Sequence, residues 1–216
     1  MIAKKTVAIA ITALFLAPAV SIAQLPKIPS LGGGSSSSGG GDAAAQQDQL
    51  VRAYVGADKE VLTAQAKMAD AVGLKDRAAQ LQATSDALGA GATKENLEAS
   101  ETMQSEASQE IQAKLKDGNV KLDAAGKKKF SEGLGSLGRG IAKYATLKGP
   151  IASFQSSLTG GGVAGALGAA SKLNAGRYIV GSTPGHVKNL SSTLSTAVSY
   201  AKSNDIPVPA DATAAL

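Results

Sequence analysis

Apolar side chains recur along most of this chain at alternating intervals of four and three residues, the spacing that gathers one face of an α-helix. Leu50, Tyr54, Ala57, Val61, Ala64, Met68 and Ala71 form the first such row, broadened by Val51, Val55, Leu62 and Val72. Asp58, Lys59, Glu60 and Lys67 are assigned to the opposite, solvated face. Beyond Gly73 the rhythm resumes in Leu74, Ala78, Leu81, Ser85 and Leu88, and Gly89 and Gly91 stop a second helix. Thr93 is placed to cap a third, with Leu97, Met103, Ala107, Ile111 and Leu115 inward and Glu95, Glu98, Glu101, Glu106 and Glu110 outward. Asp117, Gly118 and Asn119 end it.

Asp123 can cap a fourth helix, in which Phe130, Leu134, Leu137, Ile141 and Tyr144 repeat the pattern. Gly133, Gly135, Gly138 and Gly140 each cost about 1 kcal/mol relative to Ala inside a helix, so a closely approaching neighbour is expected to offset them. Thr183 as N-cap and Pro184 in the first turn predict the start of the last helix, carrying Val187, Leu190, Leu194, Ala197, Val198 and Ala201. Only Tyr178, Ile179 and Val180 resemble a strand. The expected fold class is all-α: an antiparallel bundle of five to six amphipathic helices across residues 47–204, with a loose C-terminal tail at 205–216.

The N-terminal pattern is different. Lys4 and Lys5 precede an apolar run from Thr6 to Val20, and Ser21, Ile22 and Ala23 offer a small-x-small cleavage site before Gln24. Residues 1–23 therefore read as a signal peptide, and the protein as exported, periplasmic or secreted, from a bacterium. An uncleaved anchor is the alternative, but a run of about 15 apolar residues interrupted by Pro18 falls short of the ~20 that span a bilayer. Residues 24–46 are rich in Pro, Gly and Ser, have little to bury, and are expected to be a disordered tether.

Composition then narrows the chemistry. The 216 residues include no Cys and one His, which excludes thiolate nucleophiles, disulfides and cysteine- or multi-histidine metal sites. Gly133 to Gly138 spells G-x-G-x-x-G, yet a helical pattern precedes it where a dinucleotide site needs a strand. Ser199 and Lys202 match S-x-x-K without the companion motifs of penicillin-recognising enzymes. His186, in the first turn of the predicted last helix, reads as a surface histidine; its nearest acids in sequence are Asp205 and Glu132. No acid, base and nucleophile can be assembled, no cofactor is implied, and the chain is expected not to be an enzyme.

Charge is unevenly placed. Residues 42–117 hold 8 Lys and Arg against 13 Asp and Glu, net −5; residues 118–216 hold 11 against 4, net +7. Mutual packing of acidic and basic helices explains this, and an anionic partner is the sharper alternative. The candidate contacts for anionic lipid or surface polymer are Lys127, Lys128, Lys129, Arg139 and Lys143. Nucleic acid is not expected, because the only nearby aromatics, Phe130 and Tyr144, belong to the apolar row. Residues 149–171 carry no charge, but Ser, Thr, Gln and Gly dilute their apolar content. Gly161, Gly165 and Gly168 there suit a close helix contact, in a buried hairpin or a membrane-inserting one.

These readings converge on an exported, non-enzymatic bundle of the bacterial envelope that acts as an interaction, scaffold or holding module. A homo-oligomer or an envelope protein is the expected partner, since coiled-coil-like rows can also pair between chains. The alternative is a lipid- or membrane-binding protein using the basic helix at 121–148 and the uncharged segment at 149–171.

Overall fold

The computed structural model describes residues 38–160 and 173–216. Among these residues every regular element is a helix: α1 (Ser38–Ala71), α2 (Lys75–Ala87), α3 (Lys94–Lys116), α4 (Ala124–Thr146), α5 (Lys148–Gly160), α6 (Asn174–Ser203) and α7 (Ala210–Ala214). Residues 1–23, read as a signal peptide, residues 24–37 of the segment read as a tether, and Gly161, Gly165 and Gly168 lie outside the described residues.

α1 is the central element, packing against α2, α3, α4, α5 and α6. Neighbours on several sides narrow the solvated face of α1 to a stripe through Arg52, Gly56, Lys59, Thr63, Lys67 and Asp70, and this corrects the expected placement of Asp58. Leu50, Tyr54, Ala57, Val61, Leu62, Ala64, Met68 and Ala69 are fully enclosed, and so are Asp58, assigned above to the solvated face, and Gln65. α1 also begins within the segment read as tether. Ala43 is buried there, and the Gln47 side-chain oxygen accepts a 3.0 Å hydrogen bond from the Gly176 amide at the start of α6.

Local signals set the ends. Gly73, at φ 85°, ends α1 with the Leu74 amide donating to the Ala69 carbonyl at 2.8 Å and the Gly73 amide to the Asp70 carbonyl at 3.1 Å, the double closure that a left-handed glycine permits. Thr93 and Asn96 cap α3 reciprocally: the Asn96 amide donates to Thr93 Oγ1 at 3.4 Å and the Thr93 amide to Asn96 Oδ1 at 3.1 Å. Asp123 accepts from the Gly126 amide at 2.7 Å and starts α4.

The α4 glycines are contact points, as their helix cost implied. A Cβ on Gly133 would lie 2.6 Å from Met68 Cγ, and one on Gly140 2.6 Å from Val61 Cγ2. Seven residues apart, these two let α4 settle onto α1. Gly135 and Gly138 face elsewhere: a Cβ on Gly138 would sit 2.2 Å from the Asp211 carbonyl oxygen, and one on Gly135 3.3 Å from the Pro209 ring. The segment at 205–216 is therefore not loose; Ile206 and Ala212 are buried and α7 packs on α4.

α6 overturns two local expectations. Tyr178, Ile179 and Val180 are helical, and Thr183 and Pro184 lie inside a continuous 30-residue helix rather than at its start. Pro184 leaves the Val180 carbonyl without its usual amide partner, a cost of about 3 kcal/mol in a helix interior. Ile179, Thr183, His186, Leu190, Leu194, Ala197 and Ala201 are nonetheless all buried at helical spacing, and burial at about 1.5–3 kcal/mol for each large apolar side chain outweighs one lost bond. The Thr183 hydroxyl donates to the Ile179 carbonyl at 2.5 Å within that turn. No helix among the described residues is long and apolar enough to cross a membrane.

Candidate functional site

The densest chemistry lies inside the bundle. α1 presents Tyr54, Asp58 and Gln65 at intervals of four and seven, along the same side as Val61. α3 answers with Ser100, Gln104 and Ser108, four apart. Asp58, Gln65, Ser100, Gln104 and Ser108 are all 0 % exposed. The Asp58 carboxylate accepts from Ser100 Oγ at 2.6 Å, from the Tyr144 hydroxyl of α4 at 2.8 Å, and from the Gln104 amide. Two turns further along α1, the Gln65 amide donates to Ser108 Oγ at 2.8 Å and to the Gln104 backbone carbonyl at 3.0 Å.

α6 closes the cluster. His186 is 4 % exposed, its ring 5.2 Å from that of Tyr144 in an edge-on pair, and Tyr144 makes a second edge-on pair with Tyr54, also at 5.2 Å. His186 Nδ1 lies 3.8 Å from Glu101 Oε1, and the Tyr178 hydroxyl donates to the other oxygen of Glu101. The surface histidine expected near a helix start is thus an interior one, in mid-helix, facing two carboxylates that are 85 and 128 residues away in sequence.

Burial sets the protonation states. It pushes the Asp58 carboxyl above the ordinary aspartate range, against the pull of its three donors and of His186. It lowers His186 below the usual histidine value, opposed by Glu101 and Asp58. Burial first, and then the Asp58 charge, raises both Tyr54 and Tyr144 well above 10. Proton donors and acceptors from four helices meet here within an enclosed interior, with Asp58 at 0 % and His186 at 4 % exposure. Among the described residues no group of three or more ligating side chains could hold a metal ion.

The basic residues of α4 are mostly spent within the chain. Lys129 pairs with Asp70, Lys143 with Glu60 at 3.0 Å, and Arg139 with Glu60 at 3.2 Å and Asp211 at 3.0 Å; the Lys127 ammonium donates to the Asn204 carbonyl at 2.6 Å. Burial would raise Glu60, but the hydrogen bond and charge of Lys143, with Arg139, hold it below the usual carboxylate range. Lys128 is exposed. The acidic and basic halves thus meet across α1 and α4, each exposed pair contributing about 0.2–1 kcal/mol.

Sequence reasoning missed the interior cluster. The available signal was that Tyr54, Asp58, Val61 and Gln65 are themselves a four-three-four row, matched by polar residues four apart on α3. The chain matches no protein-family model, and neither a curated protein nor a solved structure is similar to it at a level that carries an argument.

Proposed function

We propose that the protein is exported to the bacterial envelope and works there as a non-enzymatic helical module that binds or holds another protein through its outer surface. The observation that carries this reading is the enclosure of Asp58, His186, Tyr54 and Tyr144, which are between 0 and 4 % exposed. Hydrogen bonds commit Asp58 and Tyr144 to holding α1, α3 and α4 in register, a role best attested for buried polar networks that fix one arrangement over others, while the Tyr54 hydroxyl and His186 Nε2 are enclosed without a hydrogen-bond partner among the described residues. The outer surface is what remains for a partner. A lipid-binding role for α4 has less to draw on, because Lys129, Arg139 and Lys143 already face carboxylates of the same chain.

The test is site-specific photocrosslinking in cells, with the photoreactive group at exposed positions of α2 and α3 such as Gln82, Glu95 and Gln109. Mass analysis of the product also reports the N-terminus. The expected result is a chain beginning at Gln24 that gives a discrete adduct with one envelope protein. An unprocessed cytoplasmic chain, or the absence of adducts from every surface position, would contradict the reading.

A further inference from the structure

Arg77 on α2 presents its guanidinium to three side chains of α3. Nε donates to Glu110 Oε2 at 3.1 Å and Nη2 to the other oxygen of Glu110, a two-point hold that fixes the plane of the group. Nη1 carries two protons; it donates to Glu106 Oε2 at 3.1 Å and to the thioether sulfur of Met103 at 3.0 Å. A thioether is a weak acceptor, so a charged donor fixed against it by two carboxylates is matched to a stronger acceptor at the same place.

The two methionines among the described residues are set in opposite surroundings. Met68 is 0 % exposed and pressed against α4, its Cγ 2.6 Å from where a Cβ on Gly133 would lie. Met103 is half-buried and lines a cavity of about 250 Å³ between α2 and α3, together with Thr84, Ala87, Asn96 and Ala99. That space admits a molecule the size of hydrogen peroxide, about twice the ~30 Å³ share of a water. Oxidation ordinarily harms a packed methionine, because the polar sulfoxide is left without a donor. At Met103 the donor is already in place.

We propose that Met103 is a modification site for hydroperoxides and that Arg77 receives the oxygen of the resulting sulfoxide, so that the contact between α2 and α3 survives oxidation as a stronger hydrogen bond. The sulfur lone pair attacks one peroxide oxygen, and the S–O bond forms as the O–O bond breaks. The proton of the attacked oxygen passes to the departing one, which leaves as water; sulfur gives up two electrons and the peroxide takes them. The new oxygen then accepts the Nη1 proton that the sulfur had accepted, and the sulfur backs into the cavity, a shift that the three side-chain torsions of Met allow. Neither export nor an outer-surface partner enters this chemistry.

The full chain is treated with hydrogen peroxide, and peptide mass analysis follows each methionine. Met103 is expected to oxidise at least about tenfold faster than Met68 while helical circular dichroism is retained, and equal rates would overturn the proposal. Heteronuclear NMR of the arginine guanidinium groups reports the acceptor without any change to Arg77: its Nη signals are expected to move on oxidation of the parent chain and to stay in place in Met103→Leu treated alike. Arg77 signals indifferent to oxidation of Met103 would overturn it. Urea unfolding gives a third reading. The oxidised parent is expected to keep its midpoint, whereas in Arg77→Leu the same oxidation is expected to lower the folded-to-unfolded ratio about tenfold, and an equal fall in both chains would contradict a role for Arg77.

Discussion

The hydroxyl of Tyr144 donates a 2.8 Å hydrogen bond to the carboxylate of Asp58, joining α4 to α1 across 86 residues of sequence, and neither group reaches solvent appreciably. Asp58 accepts at the same time from Ser100 and Gln104 on α3, so this carboxylate ties three helices together. Asp58→Ala strands three buried donors. At about 1–3 kcal/mol for each, a loss of at least ~3 kcal/mol is expected in urea unfolding. Tyr144→Phe removes one donor and keeps the ring pairs with Tyr54 and His186, and its expected cost is about 1–3 kcal/mol.

The pH dependence has two opposing parts. His186 has a folded-state pKa below the ordinary 6.5, so the unfolded chain takes up this proton first as pH falls; stability from the neutral imidazole is present above about pH 6.5 and is lost below it. Asp58 has a folded-state pKa above the ordinary 3.8, so its ionisation costs stability as pH rises through that raised value, and protonation restores it. Urea midpoints measured from pH 8 to about 4, which covers the range from the ordinary histidine value down to the ordinary aspartate value, separate the two. His186→Gln is expected to lose less stability on acidification than the parent chain, and Asp58→Asn to lose more.

Glycines of α4 and α6 that look alike in sequence should respond oppositely to alanine. Gly138 has the Asp211 backbone where its Cβ would go, so Gly138→Ala is expected to destabilise the chain by about 1–3 kcal/mol and to speed amide exchange at 206–212. Gly181 on α6 is exposed with nothing within 4 Å, and Gly181→Ala is expected to stabilise by about 0.5–1 kcal/mol. Thermal melts with hydrogen exchange read both.

The ion pairs of α4 bear on membranes. Lys129, though exposed, is held by Asp70 and Lys127 by the Asn204 carbonyl, which leaves Lys128 as the member of the triplet with no partner among the described residues. Replacing all three by Ala is therefore expected to leave flotation with anionic liposomes unchanged, and binding that depends on the triplet would restore a lipid-facing role for this helix.

The positions of α2, α3 and α4, the caps at Thr93 and Asp123, the stop at Gly73 and the close approach at Gly133 and Gly140 were legible in the chain, because each signal lies within a turn or two of sequence. Asp58, His186 and the segment at 206–216 were not. Asp58 has the side chain of a solvated residue, and only its register with Ser100 and Gln104, more than 40 residues away, shows that it is buried. Pro184 and the Thr before it carry the local signature of a helix start, and the buried row from Ile179 to Ala201 overrides it through contacts with other helices. Residues 206–216 are rich in Pro and Ala and too short for an apolar helical row, and their partner is a pair of glycines whose side-chain absence makes room for them.

Tyrosine ionisation tests the enclosed polar interior most directly, and the lack of Trp keeps the tyrosinate absorbance near 295 nm free of interference. Tyr54, Tyr144, Tyr178 and Tyr200 are the four tyrosines, and all are shifted above 10, Tyr54 and Tyr144 chiefly by burial. In an alkaline titration the account predicts almost no tyrosinate in the native chain at pH 10, followed by a cooperative rise that coincides with loss of helical circular dichroism. Four tyrosines ionising independently around pH 10, with the helices intact, would contradict it.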